Sequence, residues 1–361
     1  MARRQEREPA REEVSEVAPG ILRMELPIRL PGLGHVNCYA LLDDEGCALM
    51  DPGLPGPGTW RALRARLERA GLRLPDVHTV VVTHSHPDHF GAAERLRREV
   101  GARVIAHRRF SFGPPPAGLS EPEVSVEHLG GEPDDEPETE SPEVEPPAPP
   151  AKPGTTPWGG RRPGLRLGQH LLWRTLRLLG RGSFVPVITH PVEHGDELHL
   201  AGRDLFVLHT PGHTCDHVCL HDPETGTFLA GDHVLPTITP HISGLSSSRD
   251  PLASFFYSLD RVAEITGVKQ VLPAHGHPFD DLRSRTQAIK RHHYERLEKL
   301  KAISRELGPA PVRAFSERLF QRRSWGPMAE SETYAHLEHL RLAGEAERYD
   351  DGRGTPLYVA G

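Results

Sequence analysis

The sequence predicts an α/β protein built in layers, with a smaller C-terminal module attached. Three observations lead there. Short apolar, β-branched runs recur along most of the chain, amphipathic helical stretches alternate with several of them, and Pro/Gly turn signals separate the two kinds. At 361 residues the chain has room for two domains, and 37% hydrophobic residues suffice for packed cores.

Residues 1–18 are charged and unpatterned and read as a disordered tail. A catalytic domain is expected over 19–290. It opens with β-like runs at Ile21–Leu26, Asn37–Leu42 and Cys47–Met50, the last stopped by Asp51-Pro-Gly53. Trp60, Leu63 and Leu67 share one stripe of a predicted helix over Thr59–Ala70. Val77–Val82 is an apolar, β-branched run of the kind buried on both faces of a sheet, and it leads directly into Thr83-His-Ser-His-Pro-Asp-His89. A helix at about Ala92–Val100 and a strand at Ala102–Ala106 follow.

Residues 113–162 break the pattern. They are dense in Pro, Glu, Asp and Gly, and eleven acids without one Lys or Arg lie between Glu121 and Glu145. Such a segment buries too little apolar surface to offset its ordering entropy and reads as a disordered insertion. It also conceals the charge of the remainder. Removing those eleven from 50 acids leaves 39 against 43 bases, about +4 where the whole chain carries −7. Leu165–Leu179 then sets Leu165, Leu172, Leu176 and Leu179 on one helical face, with Arg161, Arg162, Arg166, Arg174, Arg177 and Arg181 and no acid. It fits a helix packed on the main domain, a lid over the site, or a membrane-surface helix.

Val185–Ile188, Glu197–Leu200, Asp204–Leu208, Val218–His221 and Thr227–Ala230 read as strands of a second half-sheet. A helix at Pro251–Thr266 and a strand at Val268–Leu272 complete it. Beyond lie a long helix, Asp281–Leu307, two further helices, Val312–Phe320 and Ser331–Ala343, and a hairpin of Ala346–Asp350 with Pro356–Val359. Helices followed by a small hairpin make residues 291–361 a winged-helix-like domain.

No apolar run approaches the roughly 18 residues that mark a membrane-spanning helix. The first residues, Met1-Ala-Arg-Arg-Gln-Glu-Arg-Glu8, lack the apolar stretch of a signal peptide, so a cytoplasmic protein is expected. Cys38, Cys47, Cys215 and Cys219 fit that compartment as reduced thiols; two residues four apart on one strand are too distant for a disulfide.

Histidine is over-represented, at 23 residues, and it clusters with the spacing of metal ligands. His84-x-His86-x-Asp88-His89 occupies a short loop at the carboxyl end of a buried strand, where α/β folds place their sites. The spacing sets His84 and His86 on one side and leaves Asp88 and His89 free to face a second centre. Three other donors each follow an apolar strand: His213 in Thr210-Pro-Gly-His-Thr214, Asp232 in Ala230-Gly-Asp-His233, and His275 in Pro273-Ala-His-Gly276. Each can therefore converge on one edge of the sheets.

In this order along the chain, His-x-His-x-Asp-His, Pro-Gly-His-Thr, Gly-Asp and Ala-His-Gly resemble the metallo-β-lactamase superfamily over about residues 21–290. The resemblance implies a four-layer αββα fold. It also implies one metal ion on His84, His86 and His213, a second on Asp88, His89 and His275, and Asp232 shared between them. Asp51, ending its strand, resembles the family's supporting aspartate; a turn-capping role is compatible with that.

The donor types suit zinc, with iron or manganese as alternatives. Two cations about 3.5–4 Å apart can share a water and lower its pKa towards roughly 7, giving a bridging hydroxide that attacks a carbonyl carbon or phosphorus. Asp88 is the candidate catalytic residue, orienting or exchanging the proton. His35, His78, His107, His209, His217, His233 and His277 lie near these motifs. An ordinary structural role is favoured for each, with His217 and His233 as candidates for support or substrate contact, and His277 could in principle stand in for His275.

Within the superfamily, true β-lactamases lack an aspartate at the position of Asp232, and di-iron electron-transfer relatives carry Glu at that of His86. The C-terminal module resembles that of β-lactamase-like proteins, which include endoribonucleases and polyketide-type thioesterases. Ser331–Ala343 carries Glu332 and Glu338 beside Arg341, too acidic for a phosphate-reading helix, so the module reads as a wall of the cleft or an oligomer contact rather than a nucleic-acid binder. The expected function is hydrolysis of an ester-like bond, thioester or lactone, in a small acyl substrate. The alternatives are a phosphodiesterase or endoribonuclease and, from another class, a mononuclear iron persulfide dioxygenase.

Overall fold

The structure, a computed structural model, describes residues 4–30, 32–112, 155–159, 184–352 and 354–361. Most of the 113–162 insertion and the Leu165–Leu179 stretch lie outside the described residues. The described residues divide into two compact units: the first holds those up to 112, 184–241 and 255–295, the second 155–159, 242–254 and those from 296 onward.

In the first unit, β1 (Val14–Ala18), β2 (Ile21–Leu30), β3 (Leu33–Asp43), β4 (Gly46–Met50), β5 (Val77–Val81), β6 (Arg103–His107) and β7 (His190–Val192) form one sheet in sequence order. Pairing is antiparallel from β1 to β4 and parallel from β4 to β7. A second sheet has the order β12-β11-β10-β9-β8, with β8 (Glu197–Leu200), β9 (Arg203–His209), β10 (Val218–Asp222), β11 (Thr227–Gly231) and β12 (Gln270–Pro273). Only β11 and β12 pair in parallel there.

Side-chain alternation explains the layering. Cys47 and Leu49 of β4 face helices, while Ala48 and Met50 face the second sheet. On the helix side, Trp60, Leu63 and Leu67 of α1 (Pro57–Arg69) and Leu96 of α3 (Ala93–Val100) pack on Leu49, Val80 and Val104. Between the sheets, Ile21, Tyr39, Met50, Val81 and Ile105 meet Leu205, Val207, Leu220, Leu229 and Leu272. Each such fully buried side chain contributes roughly 1.5–3 kcal/mol. α2 (Pro87–Phe90) is a single turn following β5. On the second sheet's side, Phe255 of α4 (Pro251–Ala263) presses on Gly212, and its ring meets that of His293 on α5 (Leu282–Leu307) edge-on at 5.6 Å.

In the second unit, α6 (Val312–Leu319) and α7 (Pro327–Leu342) pack with a small sheet of order β13-β15-β14, from β13 (Ala310–Pro311), β14 (Ala346–Asp350) and β15 (Pro356–Ala360). Val312, Phe315, Leu337 and Tyr358 are fully buried there, and the Tyr358 hydroxyl donates to Glu338 at 2.5 Å.

Three readings of the sequence change. Residues 4–18 are not a disordered tail. Val14–Ala18 pairs with β2, residues 5–7 form a turn of 3-10 helix, and Glu6 is fully buried. The charges there have specific partners, which hydrophobic patterning cannot reveal. The far end of the insertion is also placed: Trp158 is buried, its indole donating to Glu330 at 3.2 Å and its ring 5.2 Å from that of Tyr334. Finally, the strand expected at Val185–Ile188 lies instead at His190–Val192. Pro186 offers no ladder N–H, and the N–H of Val187 goes to Glu94 at 3.2 Å.

Candidate metal centre

Four loops leave the carboxyl ends of β5, β9, β11 and β12 and bring the sequence-predicted donors together. His84, His86, His213 and Asp232 place one donor atom each within 4.8 Å of one another, and Asp88, His89 and His275 do the same. Asp232 links the groups. Its Oδ2 is 3.5 Å from His213 Nε2 and 3.6 Å from His89 Nε2, and its Oδ1 is 3.3 Å from His275 Nε2. Asp88 Oδ2 lies 3.7 Å from His89 Nε2 and 3.6 Å from His275 Nε2.

Hydrogen bonds on the far side of each ring decide which nitrogen faces inward. Asp51, at a left-handed φ of 54°, accepts from the Thr83 N–H at 2.9 Å, the Thr83 hydroxyl at 2.8 Å and His89 Nδ1 at 2.9 Å. A carboxylate can only accept, so His89 carries a proton on Nδ1 and, as the neutral ring, turns a bare Nε2 inward. The Thr83 hydroxyl, its hydrogen given to Asp51, accepts from His84 Nδ1 at 3.0 Å. His213 Nδ1 donates to the His241 carbonyl at 2.7 Å and His275 Nδ1 to the His35 carbonyl at 2.6 Å. Four imidazoles are thus held in the tautomer that exposes an Nε2 lone pair.

Hydrogen bonds within the protein satisfy at most one of those four lone pairs. His84 Nε2 and His213 Nε2 each sit 3.0 Å from His86 Nδ1. His89 Nε2, His275 Nε2 and Asp232 Oδ1 are buried without a hydrogen-bond partner. Buried polar atoms left so cost free energy unless something satisfies them. Ligands about 2.0–2.2 Å from one zinc ion stand roughly 3.3 Å apart, so this spacing suits cations. The electrostatics agree. Burial, reinforced by neighbouring imidazoles, pushes His84 and His86 well below the ordinary histidine range. Burial acts the same way on His89 and His275, yet the Asp232 and Asp88 carboxylates overcome it and raise both, favouring a proton at the inward Nε2 in the place a cation would take. The pocket calls for positive charge beside its carboxylates.

Asp232 is presented by a residue the sequence singled out only weakly. Its backbone N–H donates to His217 Nε2 at 3.0 Å, and His217 Nδ1 donates to the Thr210 hydroxyl at 2.8 Å. Gly231, at φ 52°, makes this possible, since a Cβ there would stand 2.6 Å from His217 Nε2. His233 joins neither group; its ring meets Phe255 edge-on at 5.2 Å. His277 turns to Glu8 at 3.0 Å and to Arg23 at 3.3 Å, so it does not stand in for His275. The carbonyls of His35 and His241 had no signal in the sequence, because any residue supplies one.

The model of the metallo-beta-lactamase superfamily matches residues 31–307. The chain belongs to the metallo-beta-lactamase superfamily. It is 24% identical over 355 residues to the "Probable metallo-hydrolase YqjP" of Bacillus subtilis, covering 91% of this chain and 95% of that one. A crystal structure of a metallo-beta-lactamase family protein from Thermus thermophilus superposes with a TM-score of 0.69 at 29% identity, covering 96% of this chain and 100% of the other. A local match, 46% identical over 50 residues, joins the chain to a hydroxyacylglutathione hydrolase of Rhizobium meliloti, spanning 14% of this chain and 20% of that enzyme. As a member of this superfamily the chain is a metal-dependent hydrolase. Among the described residues no helix is long and apolar enough to cross a membrane.

Proposed function

We propose that this superfamily member is a binuclear hydrolase that cleaves a thioester or lactone bond in a small acyl substrate. The observation that carries the binuclear part is Asp232, whose Oδ2 lies near His213 of one group and His89 of the other and whose Oδ1 faces His275. On this reading His84, His86 and His213 hold one ion, Asp88, His89 and His275 hold the other, and Asp232 serves both. Two divalent cations bound there, zinc by donor type or iron or manganese, supply Lewis acidity and a water activated near neutral pH.

The protein's own groups do the rest. Asp51 and Thr83 fix the His84 and His89 rings, so the site does not reorganise as charge develops. Asp88, nearly buried, uses Oδ2 towards His89 and His275 and is the group proposed to orient the attacking water and exchange its proton. The thioester class is supported by the local likeness to hydroxyacylglutathione hydrolase. The C-terminal helices and hairpin are read as a winged-helix-like module.

Metal content per chain, measured by plasma mass spectrometry on protein purified without added metal, tests the site. Parallel assays against a thioester, a lactone and a short RNA test the substrate. About two zinc ions with thioester or lactone turnover support the proposal. One iron per chain, or turnover of the RNA alone, would overturn it.

A further inference from the structure

The loops bearing Asp232 and His275 meet a third segment that lies far away in sequence. Glu6 is fully buried; its Oε1 accepts from the N–H groups of Thr237 at 2.7 Å and Ile238 at 3.0 Å, and its Oε2 accepts from the Thr237 hydroxyl. Gln5 spans the gap between the loops. Its N–H donates to the Thr237 hydroxyl at 3.3 Å and its side-chain oxygen accepts from the His277 N–H at 3.1 Å. The Glu8 carboxylate meets His277 Nε2 at 3.0 Å. The Glu8 carbonyl accepts from His35 Nδ1 at 2.8 Å, and this leaves His35 Nε2 bare to accept from the Gly276 N–H at 3.2 Å. That same His35 provides the carbonyl holding the His275 ring at 2.6 Å.

The close approach is built into the chain. A Cβ on Gly34 would stand 2.2 Å from the Glu8 carbonyl oxygen, so only glycine lets the segment lie on β3 there. A Cβ on Gly276 would stand 2.6 Å from Pro236, so the two donor loops touch beneath the segment.

We propose that residues 5–8 act as a strap across the 232–241 and 273–277 loops, and that Glu6 is a positioning residue for Asp232, His213 and His275. This rests on the metal site proposed above. The strap reaches His275 through His35 and reaches His213 through the loop whose His241 carbonyl holds that ring. Glu6 touches none of the donors. It acts by stopping Thr237 and Ile238 from moving, and so keeps the donors at ligand spacing before any cation arrives.

The test uses the full metal-free chain, with zinc affinity measured by chelator competition and the cobalt(II) absorption spectrum as a second readout, both well below the melting temperature. Glu6→Ala should weaken zinc binding about 10–100-fold, the range seen when groups behind a ligand are removed, and should alter the cobalt bands. Glu6→Gln should restore both, since its amide oxygen still accepts the two N–H groups and its NH2 donates to the Thr237 hydroxyl. A Glu6→Ala chain that melts lower yet binds zinc with unchanged affinity and spectrum would show a purely structural role and overturn the proposal. Should Glu6→Ala not fold, Gln5→Ala takes its place, with a smaller weakening expected and unchanged affinity again overturning it. Wild-type chain that binds two zinc ions but hydrolyses neither thioester nor lactone refutes the substrate reading alone. Wild-type chain that binds no zinc sinks both.

Discussion

Asp51 accepts the Nδ1 proton of His89 at 2.9 Å while both groups are buried. The contact makes the inward nitrogen of His89 a lone pair, and through Thr83 it does the same for His84. One carboxylate outside both donor groups thus sets the chemistry of a ring in each.

Asp51→Asn should therefore weaken metal binding in both groups. The amide keeps the shape but has one oxygen to serve three donors, and its NH2 would face a hydrogen of His89 or Thr83. A loss of about 10–100-fold in zinc affinity is expected, with the metal-free fold retained by circular dichroism. Wild-type affinity in this variant would mean the tautomers are set by something other than Asp51.

Asp232→Ala removes the group that both donor sets share. Zinc content should fall below two per chain, and turnover should drop by more than the roughly hundredfold upper range for supporting residues. Metal analysis together with a thioester assay checks this. Two zinc ions and full activity in the variant would rule out a shared aspartate.

The donors were legible because each follows a strand the hydrophobic pattern could find: His84 after β5, His213 after β9, Asp232 after β11 and His275 after β12. Sheet topology then brings strand ends to one edge, whatever loops lie between. The groups that aim the donors were not legible for the opposite reason. The acceptors for His213 and His275 are backbone carbonyls, which carry no residue signature. Glu6 finds Thr237 across more than 200 residues, with no local periodicity to announce it. His217 is one of several histidines near the motifs, and only its partner across the fold, the Asp232 N–H, sets it apart.

Trp158 lies within the segment expected to be an insertion without structure, yet it is 5% exposed and packs on Tyr334. Trp158→Ala should destabilise the second unit by about 3–5 kcal/mol, the usual cost of emptying a buried aromatic site. Urea unfolding followed in both units reads this out. A change of only a few tenths of a kcal/mol would mean the indole contributes little to the packing.

His107 and His209 stack with ring centroids 4.0 Å apart, both nearly buried. Burial and the neighbouring His209 ring lower His107 from 6.5 to about 3; burial, and Arg109 against a bond to the Cys215 carbonyl, lower His209 to about 4. Both are neutral in the folded chain, whereas the unfolded chain protonates them below about 6.5. Their contribution to stability is therefore complete above that pH. It is lost progressively as pH falls from about 6.5 towards the folded values, at up to about 1.4 kcal/mol per histidine per pH unit. His107→Phe keeps a ring in the stack and removes one titrating group. The variant should lose less stability than wild type on acidification through this window, as read by urea unfolding at a series of pH values. Parallel curves for the two proteins would show that the pair does not drive acid unfolding.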